Sequence, residues 1–429
     1  MNKVLIVTYY WPPSGGAGVQ RWLKFSKYLP EFGWEPIILT VDPEFAAYPV
    51  TDNSLSEDFP SSAKIFKTAA TNYFRVYNKD NTRIPTAGFA NNEENTLKEK
   101  IMRFIRGNFF IPDPRKGWNS FAFRKACEII ETQGIENIIT TSPPHSTQLI
   151  GLNIKKKYPA INWIADLRDP WTDIYYYKQF YPTMISKSID SAYEKKVLKN
   201  ADRIITVGPS LKTLFSQKVN GIAEKTVVIT NGYDEEDFVG LAGSTPDIFT
   251  ISYIGTLSDS YPVIAFLSAL QSLKKKGIRF RLKFIGTVSP KQKGLILSSI
   301  EESSIEFINT VDHITALRYL AESTILLLII PDHHSNKSII TGKLFEYIAA
   351  GKPVICLGPV DGDAAGYLNE TGHGFTFAYN DSRGILDYLT TLLTDNSIAG
   401  KISPQVFSRK ELTGKVVSLL LTSKEKLEL

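Results

Sequence analysis

Ile339-Ile-Thr-Gly-Lys-Leu-Phe-Glu-Tyr-Ile-Ala-Ala-Gly-Lys-Pro-Val-Ile355 is the stretch whose reading decides the fold. Thr341 and Gly342 open a helix; Leu344, Phe345, Ile348 and Ala349 recur at helical spacing; Gly351 ends it, and Pro353 blocks continuation before a short apolar strand. A loop, helix and strand in so short a run form one unit of an α/β sheet. The free N–H groups and positive dipole end of such a helix favour a phosphate. Lys343 adds a mobile cation there, and Glu346, one turn on, can accept two hydrogen bonds from the vicinal hydroxyls of a ribose. Together they would hold a nucleoside diphosphate.

The run Lys343-Leu-Phe-Glu346-Tyr-Ile-Ala-Ala-Gly351-Lys-Pro353-Val-Ile resembles the donor-binding helix of the family-four retaining glycosyltransferases. The resemblance implies the GT-B fold: an α/β protein of two Rossmann-like parallel-sheet domains facing a deep cleft. In that family two glutamates with seven residues between them mark the region, and the second touches the ribose; Glu346 matches the second. Ser338 stands where the first would fall, so the chain departs from the pattern on the sugar-facing side. Tyr-Ile-Gly255-Thr256-Leu, after a strand over 249–254, is a second departure. Many members carry an arginine after that glycine and a lysine nearby; here Thr256 replaces the arginine, which leaves Lys343 as the main cation for the diphosphate. The donor-binding set implied by the resemblance is Gly15, Gly16, Gly255, Thr256, Thr341, Gly342, Lys343 and Glu346.

Working outward, Lys3 to Thr8 reads as a strand, followed by Tyr-Tyr-Trp-Pro-Pro-Ser-Gly15-Gly16-Ala-Gly18 and a helix through Leu29. Gly16-x-Gly18-x-x-Arg21 lacks the third glycine of a dinucleotide fingerprint. It is more similar to the double-glycine loop of GT-B enzymes, whose backbone amides approach the donor diphosphate. Asn137 to Thr141 is a strand delivering Thr141-Ser-Pro-Pro-His145-Ser to the carboxyl edge of the sheet, where ligands of open α/β sheets bind. His145 matches the family histidine that contacts the donor sugar; its other reading is a helix cap. The strand over 161–165 delivers Asp166-Leu-Arg168-Asp169-Pro-Trp171 to the same edge. Asp166 and Arg168 can bind sugar hydroxyls while the Trp171 indole stacks on a pyranose. His145, Asp169 and Lys343 are the candidate catalytic residues. Tyr175, Tyr176, Tyr177, Phe180 and Tyr181 suit an acceptor groove or a lipid interface.

A chain of 429 residues is too long for one ordinary core, and two domains of about 200 residues are expected. The first spans 1–208, with an irregular insertion at about 42–118, and is completed by a C-terminal helix at about 406–429; the donor domain spans 209–405. Asn231-Gly232-Tyr-Asp234 reads as a sharp turn. Strands over 281–285, 306–308, 324–328, 354–357 and 374–377 alternate with helices, which implies a parallel sheet.

The formal charge of +5 is small for this length and gives no reason to expect nucleic acid. Lys and Arg number 27 against 21 Asp and Glu through Gly208, and 22 against 23 beyond it, so contact with an anionic lipid surface belongs to the first half. There Leu97, Ile101, Phe104 and Ile105 interleave with Lys98, Lys100, Arg103 and Arg106. Such a basic amphipathic helix either lies in a membrane interface or docks on its own domain. No apolar run approaches the ~20 residues of a membrane span and the opening run has no leader cleavage signature, so a cytoplasmic protein is expected, peripheral at the inner face of the membrane if that helix binds lipid. Cys127 and Cys356 read as buried fillers, and Asp332, His333 and His334 as loop residues, so no metal is expected. The expected partners are a nucleotide sugar and a hydroxyl acceptor, lipid-linked or polysaccharide. A sugar-nucleotide epimerase and a silent sugar-nucleotide-binding subunit are the rival readings.

Overall fold

In the computed structural model, which describes residues 1–53, 55, 59, 63–73, 96–241, 246–394 and 402–421, every strand that pairs within a sheet does so in parallel. The chain forms two compact units, one from 1–231 with 409–429 and one from 232–408.

The first unit holds β1 (Asn2–Val7), α1 (Ala17–Tyr28), β2 (Trp34–Val41), β3 (Lys64–Thr68), α2 (Leu97–Phe109), α3 (Asn119–Gln133), β4 (Asn137–Ser142), α4 (Ser146–Lys157), β5 (Asn162–Leu167), α5 (Met184–Asn200), β6 (Arg203–Thr206), α6 (Pro209–Lys218) and β7 (Thr226–Val228). Its seven-stranded sheet runs β3-β2-β1-β4-β5-β6-β7. Helices cover both faces of such a sheet, so its central strands read as continuous apolar runs rather than alternating ones. Val4, Leu5, Ile6 and Val7 are all fully buried. The chain returns from the second unit at Arg409, and α13 (Arg409–Leu420) lays Leu412, Val416 and Leu420 against Trp22, Phe25 and Leu29 of the first unit.

The sheet reverses its order of addition between β1 and β4, the switch point beside which open α/β sheets bind ligands at their carboxyl edge. The expected boundary near Gly208 falls within this unit, because β7 pairs with β6 before the chain leaves. The stretch read as an irregular insertion supplies β3, an edge strand whose residues are mostly exposed and so lack an apolar signature, and the helix α2. Parts of that stretch, 54, 56–58, 60–62 and 74–95, lie outside the described residues.

The second unit repeats the plan in six strands, ordered β10-β9-β8-β11-β12-β13. They are β8 (Phe249–Ile254), β9 (Phe280–Ile285), β10 (Ile305–Ile308), β11 (Ile325–Ile329), β12 (Val354–Leu357) and β13 (Gly374–Phe377). The helices are α7 (Ile264–Lys275), α8 (Pro290–Ser299), α9 (His313–Ala321), α10 (Gly342–Ala349), α11 (Asp363–Thr371) and α12 (Ser382–Thr394). Helix α10 is the helix of the opening stretch, and Leu344, Phe345, Tyr347 and Ile348 are its buried face. Gly351, at φ 65°, makes the left-handed turn that lets Pro353 lead into β12.

Candidate functional site

In the second unit the carboxyl ends of β8 and β9 carry the same four-residue pattern, Tyr253-Ile-Gly255-Thr256 and Phe284-Ile-Gly286-Thr287. Both glycines sit at φ 121°, a conformation L side chains rarely adopt. The Gly255 N–H donates to Ile285 O at 2.7 Å, and a Cβ on Gly286 would press on Gly255 at its carbonyl carbon, 3.0 Å away. A Cβ on Gly255 would collide with the ammonium end of Lys343. Gly255 therefore does not offer its amide to a ligand; its missing side chain is the slot through which Lys343 reaches the strand edge. Gly286 escaped the sequence reading, although the repeated Ile-Gly-Thr after two adjacent strands was a signal for it.

Lys343 lies with Nζ 4.9 Å from the centre of the Tyr253 ring, and Tyr253 donates its hydroxyl to Thr256 O at 2.7 Å. Burial outweighs the attraction of Glu346 and pulls the Lys343 ammonium down to about 8. Glu346 sits on the same turn of α10, half-buried, close enough to oppose that shift. Thr341 begins α10 without capping it by its side chain, and its buried hydroxyl has no hydrogen-bond partner among the described residues. Gly342 and Thr256 are exposed beside it. The structure thus brings Gly255, Thr256, Thr341, Gly342, Lys343 and Glu346 into one patch with a cation, a helix start and a carboxylate. Ser338 lies a turn away, donating to Ser335 O at 3.4 Å.

In the first unit Gly16 is exposed with φ 85° at the start of α1, whereas Gly15 is buried and its N–H donates to Val50 O at 2.9 Å. The Gly15 amide is thus not available to a diphosphate; Gly16 is the exposed member of the pair. Asp166 needs a firmer correction. It is fully buried, ion-paired to Arg21 at 3.1 Å, and accepts from Trp22 Nε1 at 2.7 Å and Thr141 Oγ1 at 2.8 Å. Its oxygens are saturated by protein donors, so it binds no sugar hydroxyl. Arg168 donates to Ser142 O at 2.8 Å and Gly18 O at 3.2 Å, tying the proline loop to the glycine loop.

Trp171 is 2% exposed, with its indole N–H donating to Asp190 at 2.7 Å and its ring stacked on His145 at 4.9 Å between centres. Its stacking partner is a protein imidazole. His145 does not cap α4; that cap comes from Asp113, which accepts from Ser146 N at 2.8 Å and Ser146 Oγ at 2.9 Å. Burial, then Lys218 and Arg168, push the imidazole down to about 3, so His145 is neutral at physiological pH. Its Nδ1 is buried without a hydrogen-bond partner among the described residues. Burial raises the Asp169 carboxyl above the ordinary range, against the pull of Arg168. His145, Asp169 and Trp171 share a cavity of about 180 Å³ with Tyr10, Tyr176, Tyr177, Asp190 and three arginines, 103, 106 and 115.

Helix α2 opens with a capping box, Thr96 accepting from Glu99 N at 3.3 Å. Arg103 is buried and Arg106 lines the cavity, while Leu97, Ile101, Phe104 and Phe109 are exposed. No described helix is long and apolar enough to cross a membrane. Cys127 and Cys356 are both buried and free.

Residues 248–395 match the family model for glycosyl transferases group 1. No curated protein matches the chain by sequence. Among solved structures, a glycosyltransferase from Rickettsia africae ESF-5 is 16% identical, with a TM-score of 0.61 over 98% of this chain and 99% of that one. Anabaena HepE, solved in complex with UDP and glucose, is 15% identical, with a TM-score of 0.57 over 98% and 99%. A UDP-N-acetylglucosamine 2-epimerase candidate from Listeria monocytogenes is 11% identical, with a TM-score of 0.54 over 97% and 95%. These likenesses, with the two all-parallel sheets, fix the fold as GT-B.

Proposed function

We propose that this chain, a glycosyltransferase by its group 1 domain and a GT-B protein by its two parallel sheets, is a retaining enzyme that moves a sugar from a nucleoside diphosphate to a hydroxyl acceptor in cell-surface glycan assembly. The observation that carries the reading is the Lys343 ammonium drawn through the Gly255 slot beside an uncapped helix start, with Glu346 one turn on. Such a patch suits a diphosphate on Lys343 and the first amides of α10, and a ribose on Glu346. A uridine nucleotide is the first candidate, since HepE was solved with UDP.

Charge growing on the leaving diphosphate meets a cation and oriented N–H groups already in place, so little reorganisation is needed during transfer. In this reading the acceptor belongs to the first unit. Asp169, its carboxyl raised by burial, stands ready to take a hydroxyl proton, and neutral His145 orients by hydrogen bonding rather than by charge.

The test is release of nucleoside diphosphate from UDP- and GDP-sugars with and without polyprenyl-linked acceptors. Release that depends on both acceptor and Lys343 is expected. An epimerase, whose fold the Listeria neighbour shares, would interconvert the donor sugar with no acceptor present, and that result would replace the proposal.

A further inference from the structure

We propose that the cavity of the first unit is an anion subsite, in which Arg106, with Arg103 and Arg115 beside it, holds a phosphate or pyrophosphate ester at the anionic end of the acceptor. The proposal rests on the acceptor role given above to this unit.

On helix α2 Lys98 and Lys100 are exposed and Met102 and Ile105 half-buried, as docking would have them, but several of their neighbours are reversed. Leu97 is 75% exposed, Ile101 50% and Phe104 42%, while Arg103 is buried and Arg106 faces the cavity. A helix that merely docked on its domain would bury the apolar residues and leave the cations in water. Desolvating a guanidinium is unfavourable unless an anion meets it. Arg106 has no ion-pair partner among the described residues; its guanidinium rests on the Phe180 ring, 4.0 Å from the centroid. Burial first, and then the neighbouring Arg115, lower it to about 10 against the opposing pull of Asp113.

Three carboxylates share the cavity wall, and two are committed elsewhere. Asp113 caps α4 and accepts from Arg115 N at 2.9 Å. Asp190 accepts from Trp171 Nε1 at 2.7 Å and Tyr177 OH at 3.0 Å. Asp169, the third, keeps the raised carboxyl that suits a proton acceptor beside an ester. Tyr10 and His145 Nδ1 add uncharged hydrogen-bonding groups to the wall. A volume of about 180 Å³ equals that of several waters at ~30 Å³ each, enough for a pyrophosphate. The same helix carries the exposed Leu97, Ile101 and Phe104, apolar groups that a hydrocarbon tail would cover.

The test is titration of inorganic pyrophosphate into the full chain saturated with UDP, so that the patch at Lys343 is occupied. One further pyrophosphate is expected to bind, about tenfold or more weaker in Arg106→Gln and less weakened in Arg106→Lys, which keeps the charge but not the planar fork, with UDP affinity within about twofold in both. Arg103→Gln should weaken it independently. Absence of that second site, or binding that persists in both Gln variants, overturns the inference and leaves the donor assignment standing. Arginine-dependent pyrophosphate binding in a chain that fails to bind UDP would do the reverse. Geranyl diphosphate separates the two sources of the ester. Tighter binding than pyrophosphate, lost in Phe104→Ser, supports a lipid-linked acceptor, and equal affinity supports a water-soluble phosphate ester.

Discussion

Lys343 is an ammonium held where water is scarce, and its ligand must restore what burial removed. With its pKa near 8 in the free protein, the cation is progressively lost above that pH, so affinity for UDP should fall as pH rises through about 8. Isothermal titration across pH 7 to 10 reads this, and Lys343→Arg should move the fall upward, because guanidinium keeps its proton. Lys343→Ala and Glu346→Ala should each weaken UDP by ~1–3 kcal/mol, the range of charge-assisted hydrogen bonds; intact affinity in both would remove the donor assignment. Asp166 is the contrasting carboxylate. Asp166→Asn leaves the Arg21 cation buried without its counter-ion, and a urea titration should show a loss of ~3–5 kcal/mol. The acceptor KM of the folded fraction should stay unchanged, as a change there would restore the hydroxyl-binding role.

Among the elements, α4 and β5 are locked by one absent side chain. A Cβ on Gly151 would run into the indole of Trp163, itself fully buried and donating its N–H to Thr140 Oγ1 at 2.9 Å. The Gly151→Ala variant gains helix propensity but must displace that ring. It should therefore lower stability by ~1–3 kcal/mol in thermal melts, the cost of overpacking, where a solvent-facing glycine would gain stability. Helix α2 shows the limit of pattern reading at this scale. Its apolar and basic residues alternate as a surface helix would have them, and only the packing decides which stripe faces inward.

For the molecule as a whole, the patch around Lys343 proposed for the donor belongs to one unit and the arginine cavity to the other, so ligands should act through separate stability terms. UDP at 100 times its Kd should stabilise the native state by ~2.7 kcal/mol through mass action, and the same UDP concentration should give Lys343→Ala only ~0.3–1.8 kcal/mol. Differential scanning calorimetry should show it in the transition that includes 232–408. The sequence alone determined the alternation of strands and helices, the parallel order within both sheets, and the Thr341-to-Glu346 corner, because hydrophobic periodicity and helix starts are written in residues a few places apart. It also placed His145, Asp169 and Trp171 at one sheet edge. The tertiary structure alone decided which of the named groups a ligand can meet. Asp166 pairs with Arg21 across 145 positions and is spent; Asp113 reaches 33 positions to cap α4; Lys343 finds its slot at a glycine on another strand. Burial and pairing are properties of neighbours in space, and a carboxylate saturated by a distant arginine looks the same along the chain as one left open to a sugar.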